Sequence, residues 1–230
     1  MKKSWTKNSH QILEQATKLE NYNRWLVSLF QNHFGNKILE IGSGLGGLSI
    51  LFPKTNVTLS DISDDYFNYL KRRFGHKTIK LDIEKEIPPS LQNSFDTIFS
   101  SNVLEHIEDD QRALNNCYKL LQKNCQLLVF VPAMPKIYGS LDKAMGHFRR
   151  YTKKELAEKV TQAGFKITSL KYVNFLGSFT WWLRGLMPSQ SKTDSIAARL
   201  FDSFLVTLLY LERRLSLPFG QSLMLIAEKS

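Results

Sequence analysis

Cysteine is scarce: Cys117 and Cys125 are the only two in 230 residues. A disulfide framework or a structural zinc site needs more of them in closer array, so neither is expected, and no metal centre is foreseen. The usage suits a reducing cytoplasm. Long apolar runs are also lacking. The most apolar one, Leu200 to Leu211, is interrupted by Asp202 and falls short of the roughly 20 residues that span a bilayer. Behind Lys2 and Lys3 there is no apolar stretch, which argues against a signal peptide. The expectation is a cytoplasmic protein, soluble or peripheral to a membrane.

Acid is in short supply, but only in one half. Residues 1–133 carry 16 basic and 14 acidic side chains, whereas residues 134–230 carry 15 and 7, so +8 of the net +10 lies in the C-terminal part. A solvated basic surface accounts for most such lysines. The sharper reading is a C-terminal part that faces an anion: a phosphorylated substrate, a lipid surface or RNA.

What is present in quantity is apolar side chain, 43% of residues with 12% aromatic, enough for a packed core. The length suits one domain, 1–230, and no repeat or low-complexity tract divides it. Short β-rich runs alternate with helical ones, the mark of an α/β parallel sheet with crossover helices. A helical cover is expected over 9–33. Strands are expected at 37–41, 56–60, 77–81, 95–100, 126–131, 165–173 and 222–228. Helices fall at 45–52, 63–73, 108–121 and 152–163, the last with Thr152 as N-cap and Gly164 as its stop. A core over 37–173 is followed by an apolar helical insertion over 174–220 and a last strand within 221–230. Strands of a parallel sheet end on the ligand-binding edge, so an insertion leaving the sixth strand starts there. It reads as a substrate lid, or as a helical pair that thickens the core or makes a dimer.

Ile38-Leu39-Glu40-Ile41-Gly42-Ser43-Gly44-Leu45-Gly46-Gly47 is a buried strand running into a glycine turn. Such glycines permit positive φ and close approach of a ligand. The spacing fits G-x-G-x-x-G and G-x-G-x-G equally, so the turn alone leaves a dinucleotide and other nucleosides open. Acids decide between them. Glu40 precedes the turn, where a carboxylate suits a cationic amino-acid group better than a pyrophosphate. Asp61, ending the second strand, can accept both ribose hydroxyls, and Asp82, ending the third, can accept from an adenine amino group. Three acids on successive strand ends, with no base in the turn, describe a nucleoside ligand without phosphates.

ILEIGSGLGG, LSDIS, LDI and SSNVLEHI together resemble class I S-adenosylmethionine-dependent methyltransferases of the type 11/12 group, over about 37–173. The resemblance implies a Rossmann-like three-layer sandwich. Its seven-stranded, mostly parallel sheet would have the last strand antiparallel, and the helical insertion would lie between the last two strands. It also implies S-adenosylmethionine as methyl donor. Glu40, Gly42, Ser43 and Gly44 would line the methionine end, Asp61 and Ile62 the ribose, Asp82 and Ile83 the adenine. Asn102, Val103 and His106 would pass beneath the sulfonium. Tyr22 and Arg24 would close over the cofactor carboxylate, unless that region is an ordinary helix with Trp25 in the core. The usual Pro-Gly-Gly turn before the fifth strand is here Lys123-Asn124-Cys125, and asparagine tolerates the left-handed conformation such a turn takes.

After the fifth strand comes a polar, glycine-punctuated loop, Pro132 to Tyr151, similar to a Y-G-S-L-D-x-A-x-G-H-x-R-R-Y-T stretch in a subgroup of small bacterial methyltransferases. His147 is the preferred base, with Asp142 orienting it and His106 a second candidate. Tyr138, Arg149, Arg150 and Tyr151 are candidate substrate contacts, as are Trp181 and Trp182 in the insertion. At each position the plainer alternative is structural: a hydrogen-bonded histidine, or arginines that brace the loop. The expected reaction is O- or N-methylation of a small molecule, amphipathic or anionic, by a monomer or homodimer with lipid contact in reach. An RNA or protein acceptor is the rival, although no D/N-P-P-Y/F-type turn and no RNA-binding module is visible. A nicotinamide oxidoreductase is the rival enzyme, opposed by Glu40, Asp82 and NVLEH.

Overall fold

A computed structural model describes residues 7–52, 56–75, 77–177, 206–212 and 217–230. Seven strands form one sheet: β1 (Lys37–Ile41), β2 (Asn56–Asp61), β3 (Thr78–Lys80), β4 (Phe95–Ser101), β5 (Leu121–Pro132), β6 (Phe165–Val173) and β7 (Ser222–Lys229). Their order is β3-β2-β1-β4-β5-β7-β6. β1 to β5 pair in parallel, while β7 runs antiparallel to both of its neighbours. The order reverses between β1 and β4, which opens a crevice at the C-terminal ends of those two strands.

The central strands are apolar throughout because both of their faces are covered. Along β5, Leu127, Val129 and Val131 point to one side with Leu39, Ile41 and Ile98. That side is closed by Leu114 and Leu120 of α4 (Asp110–Leu120) and by Leu156 and Val160 of α6 (Lys153–Gln162). Leu128 and Phe130 point to the other side, with Ile38 and Phe99. Trp25 and Leu26 of α2 (Glu20–Ser28), Phe30, and Leu209 of the 206–212 helical segment cover them. Side chains alternate with the period of two that a strand imposes, and the result is three layers.

Local chemistry sets the element ends. The Thr152 hydroxyl accepts from Glu155 N at 3.1 Å to start α6, and Gly164, at φ +97°, follows its end. Asp109 caps α4 by accepting from Arg112 N at 2.9 Å. Asn124 takes φ +60°, as its place in the turn before the core of β5 requires.

Three expectations need correction. No α-helix forms over 45–52. The chain makes turns and a short 3-10 segment, Ser49–Leu51, because Gly46 sits at φ +73° and Gly47 adjoins it. β5 begins at Leu121 rather than 126, with the left-handed Asn124 carried inside it as an irregularity in the pairing with β4. The stretch after β5 contains a short helix, α5 (Ser140–Met145), closed by Gly146 at φ +81°. The N-terminal cover is two helices, α1 (Lys7–Thr17) and α2. Most of the insertion, including Trp181 and Trp182, lies outside the described residues. Its two ends meet at the C-terminal edge of the sheet, where Gln221 N donates to Asn174 O and Ala133 N to Gln221 O.

Candidate active site

β1 delivers Glu40 to the crevice and then turns on Gly42 and Gly44, at φ +68° and +54°. A Cβ at Gly42 would stand 2.6 Å from Val103 Cγ2, and one at Gly44 would stand 2.9 Å from Leu13 Cδ2. The turn is therefore held between the end of β4 and α1, and only glycine fits. Hydrogen bonds tie it to β2: Ser43 N donates to Ser60 O at 2.8 Å, and Gly44 N to Asp61 Oδ2 at 3.0 Å.

Glu40 is buried, and the Ser49 hydroxyl donates to its carboxylate. Burial pushes its carboxyl up to about 7, against the hydrogen bonds that lower it. Among the described residues it has no cationic partner. An uncompensated buried carboxylate is costly, and a ligand ammonium would relieve it. That is the observation by which these residues fit S-adenosylmethionine, whose amino-acid end carries such a group.

Asp61 is also buried, and burial raises its carboxyl against main-chain hydrogen bonds from Ser63, Gly44 and Ile62. Its oxygens hold Gly44 N and Ser63 N, and carboxylate oxygens have further acceptor capacity for ribose hydroxyls. Ile62 beside it is an apolar side chain left 50% exposed. Asp82 accepts from Glu84 N at 3.1 Å, while Ile83 is buried with its carbonyl bound by Asn116. Asn102 leaves β4 at φ +52°, a conformation asparagine tolerates, and carries Val103 onto Gly42.

Tyr22 and Arg24 do not converge. The Tyr22 hydroxyl accepts from Asn174 Nδ2 at 3.4 Å, its ring packs 5.3 Å from Trp25, and burial raises its phenol. Arg24 is exposed and lines a cavity of about 550 Å³ with Lys18, Gly46, Gly47 and Arg73. Trp25 is in the core.

The second half of the site comes from the segment after β5, which returns to that strand through Tyr151 N donating to Pro132 O. α1 packs on α5 above it. His147 Nδ1 lies 2.9 Å from Asp142 Oδ1, and its Nε2 lies 3.9 Å from Glu105 Oε1. His106 meets the His147 ring edge-on at 4.7 Å between centroids. Burial works against the Asp142 carboxylate, but hydrogen bonds from His147, Gly139 N and Arg150 hold it below the ordinary range. Tyr138 donates its hydroxyl to His147 O at 2.8 Å and steadies the same loop.

The expected substrate contacts Arg149, Arg150 and Tyr151 are placed as braces. Arg150, 3% exposed, donates to Asp142 and to Ala133 O. Arg149 pairs with Asp110 at 2.8 Å and donates to Glu108 O. Tyr151 is fully buried and donates to Asp110 at 2.9 Å. The plainer of the two readings describes their positions.

One residue escaped sequence reasoning. Glu105 is fully buried, and among the described residues neither of its carboxylate oxygens has a hydrogen-bond partner. Burial pushes it up to about 8 despite nearby Arg150. It stands inside the quoted SSNVLEHI stretch, but its inward direction follows from the 3-10 turn Leu104–His106, which composition does not announce.

A family profile described as a methyltransferase domain matches residues 39–127. Juvenile hormone acid O-methyltransferase of Bombyx mori is 31% identical over 105 residues, 41% of this chain and 38% of that protein. Malonyl-(acyl-carrier protein) O-methyltransferase 1 of Ilyobacter polytropus is 27% identical over 157 residues, 62% of this chain and 57% of that protein. The chain thus spans less than two thirds of the length of either relative. In structure, an S-adenosylmethionine-dependent methyltransferase from Archaeoglobus fulgidus superposes with a TM-score of 0.64 at 18% identity, covering 93% of this chain and 94% of the other. That profile lies over the strand, glycine turn and acids of the crevice, so this part of the chain matches a methyltransferase domain and supports a class I S-adenosylmethionine-dependent methyltransferase.

Proposed function

We propose that this protein transfers the methyl group of S-adenosylmethionine to an oxygen or nitrogen of a small-molecule acceptor. The observation that carries the reading is Glu40, a buried carboxylate with no cationic partner among the described residues, set beneath a glycine turn of the matching family. Glu40 would hold the ammonium, Gly42 and Gly44 admit the backbone-close methionine end, Asp61 the ribose, and Asp82 with Ile83 and Ile62 the adenine. The bound cofactor supplies an activated methyl on a sulfonium. The chain then has to orient the acceptor, exclude water and take a proton; orientation is worth about 7–11 kcal/mol.

His147 would take that proton. Asp142 fixes its Nδ1, as a carboxylate must if Nε2 is to accept. Val103 on Gly42 and His106 against His147 join the glycine turn and the histidine pair through one segment at the end of β4. Support for an oxygen acceptor comes from the names of the two relatives. With Arg149 and Arg150 engaged inside the fold, an anionic acceptor draws no support from them.

The test is transfer from methyl-labelled S-adenosylmethionine across panels of small carboxylic acids, phenols and amines, with RNA and protein arms. Label in a small molecule supports the reading. Label confined to RNA or protein, or left in the donor in every arm, overturns it.

A further inference from the structure

Glu105 and His106 are neighbours in sequence and His147 comes from the distant loop after β5, yet each of the three offers a donor atom within 4.8 Å of the others. Glu105 is fully enclosed, and among the described residues neither oxygen has a hydrogen-bond partner, a state the fold would have to offset. His147 has its Nδ1 fixed by Asp142, so its Nε2 faces the Glu105 carboxylate. A carboxylate behind one histidine nitrogen is how proteins commonly orient the other toward a metal. The Asp142 carboxylate is held in turn by Arg150 and Gly139 N.

We propose that Glu105, His106 and His147 bind a divalent transition-metal ion, with Asp142 as the positioning residue behind His147. Two imidazoles and one carboxylate form a mixed nitrogen and oxygen set, suited to Zn²⁺, Fe²⁺ or Co²⁺ rather than to Ca²⁺ or Mg²⁺. Ligand bonds of about 2.0–2.2 Å require the three donors to draw in from their present separations, a matter of side-chain rotation. Three protein ligands leave further coordination positions open for an acceptor oxygen or water. The sequence showed no metal spacing because the third ligand arrives from the loop after β5.

Its use in catalysis rests on the methyl-transfer reading; the binding itself does not. With the ion in place His147 is a ligand, and a coordinated acceptor hydroxyl would release its proton to water, so the ion takes over the task His147 performs alone in metal-free protein.

The experiment uses untagged full-length protein, stripped with chelator, and titrates it with Co²⁺ by visible absorption and with Zn²⁺ by calorimetry. One equivalent is expected, with d–d bands for Co²⁺. Glu105→Gln and His106→Gln should each weaken binding at least tenfold while thermal melting shows a folded protein. Glu105→Gln is isosteric and replaces a carboxyl that has no hydrogen bond among the described residues, so it reads the site rather than the fold. No saturable binding, or equal affinity in folded Glu105→Gln, overturns the proposal. S-Adenosylhomocysteine binding measured on the same stripped sample separates failure of the metal site from failure of the methyltransferase reading.

Discussion

His147 Nδ1 and Asp142 Oδ1 lie 2.9 Å apart, and the same oxygen receives Arg150 Nε at 2.8 Å. One buried carboxylate thus sets the direction of the candidate base and anchors the loop that carries it. Function and stability meet at Asp142, so variants on its two sides should behave differently.

On the functional side, His147→Ala should leave S-adenosylhomocysteine affinity within about threefold and lower turnover by about 10²–10⁴, the usual worth of a positioned acid or base. Calorimetry paired with a turnover assay reads both. An unchanged rate would remove His147 from the chemistry.

On the structural side, Arg150→Met should cost about 3–5 kcal/mol, because it strands a buried carboxylate. The denaturant midpoint checks this. If Arg150 instead held substrate, stability would stay put and KM alone would rise.

Glu40 gives the pH dependence. Its folded carboxyl sits near 7, above the ordinary value of 4.5, so the native state holds a proton that the unfolded state has released between those values. The protonated form's stability is present below 4.5 and is lost as pH rises through 7. Ligand-free protein should therefore lose stability across that window, and Glu40→Gln should make the profile shallower in melts followed from pH 5 to 8, with Glu105, pushed up to about 8, contributing the slope that remains. Affinity for S-adenosylhomocysteine should rise over the same window, as the carboxylate that attracts the ammonium forms.

Gly42→Ala combines a positive φ with a Cβ 2.6 Å from Val103 Cγ2. The backbone term is about 1–2 kcal/mol before any clash. Binding of S-adenosylhomocysteine should fall at least tenfold while the circular-dichroism spectrum keeps its α/β form.

The sheet was legible because doubly covered strands are plain apolar runs; β1 and β6 match their expected bounds residue for residue. The positions of Glu40, Asp61 and Asp82 were legible because each stands within two residues of a strand end. What sequence hid was direction and company. Leu45 to Phe52 has helical composition, but Gly46 in a left-handed turn breaks it. Arg149, Arg150 and Tyr151 look like a substrate-facing cluster until Asp110 and Asp142 are seen to hold them. Glu105 reads as one more polar residue before a histidine, and only the turn after β4 shows it enclosed.

The crevice is expected to take a nucleoside bearing an amino-acid ammonium and no phosphate. Calorimetric titration with S-adenosylhomocysteine and, separately, with NADH tests it most directly. Saturable one-to-one binding of the first, weakened at least tenfold in Glu40→Gln, with no binding of NADH, is the expected result. Binding of NADH with S-adenosylhomocysteine excluded would contradict the account.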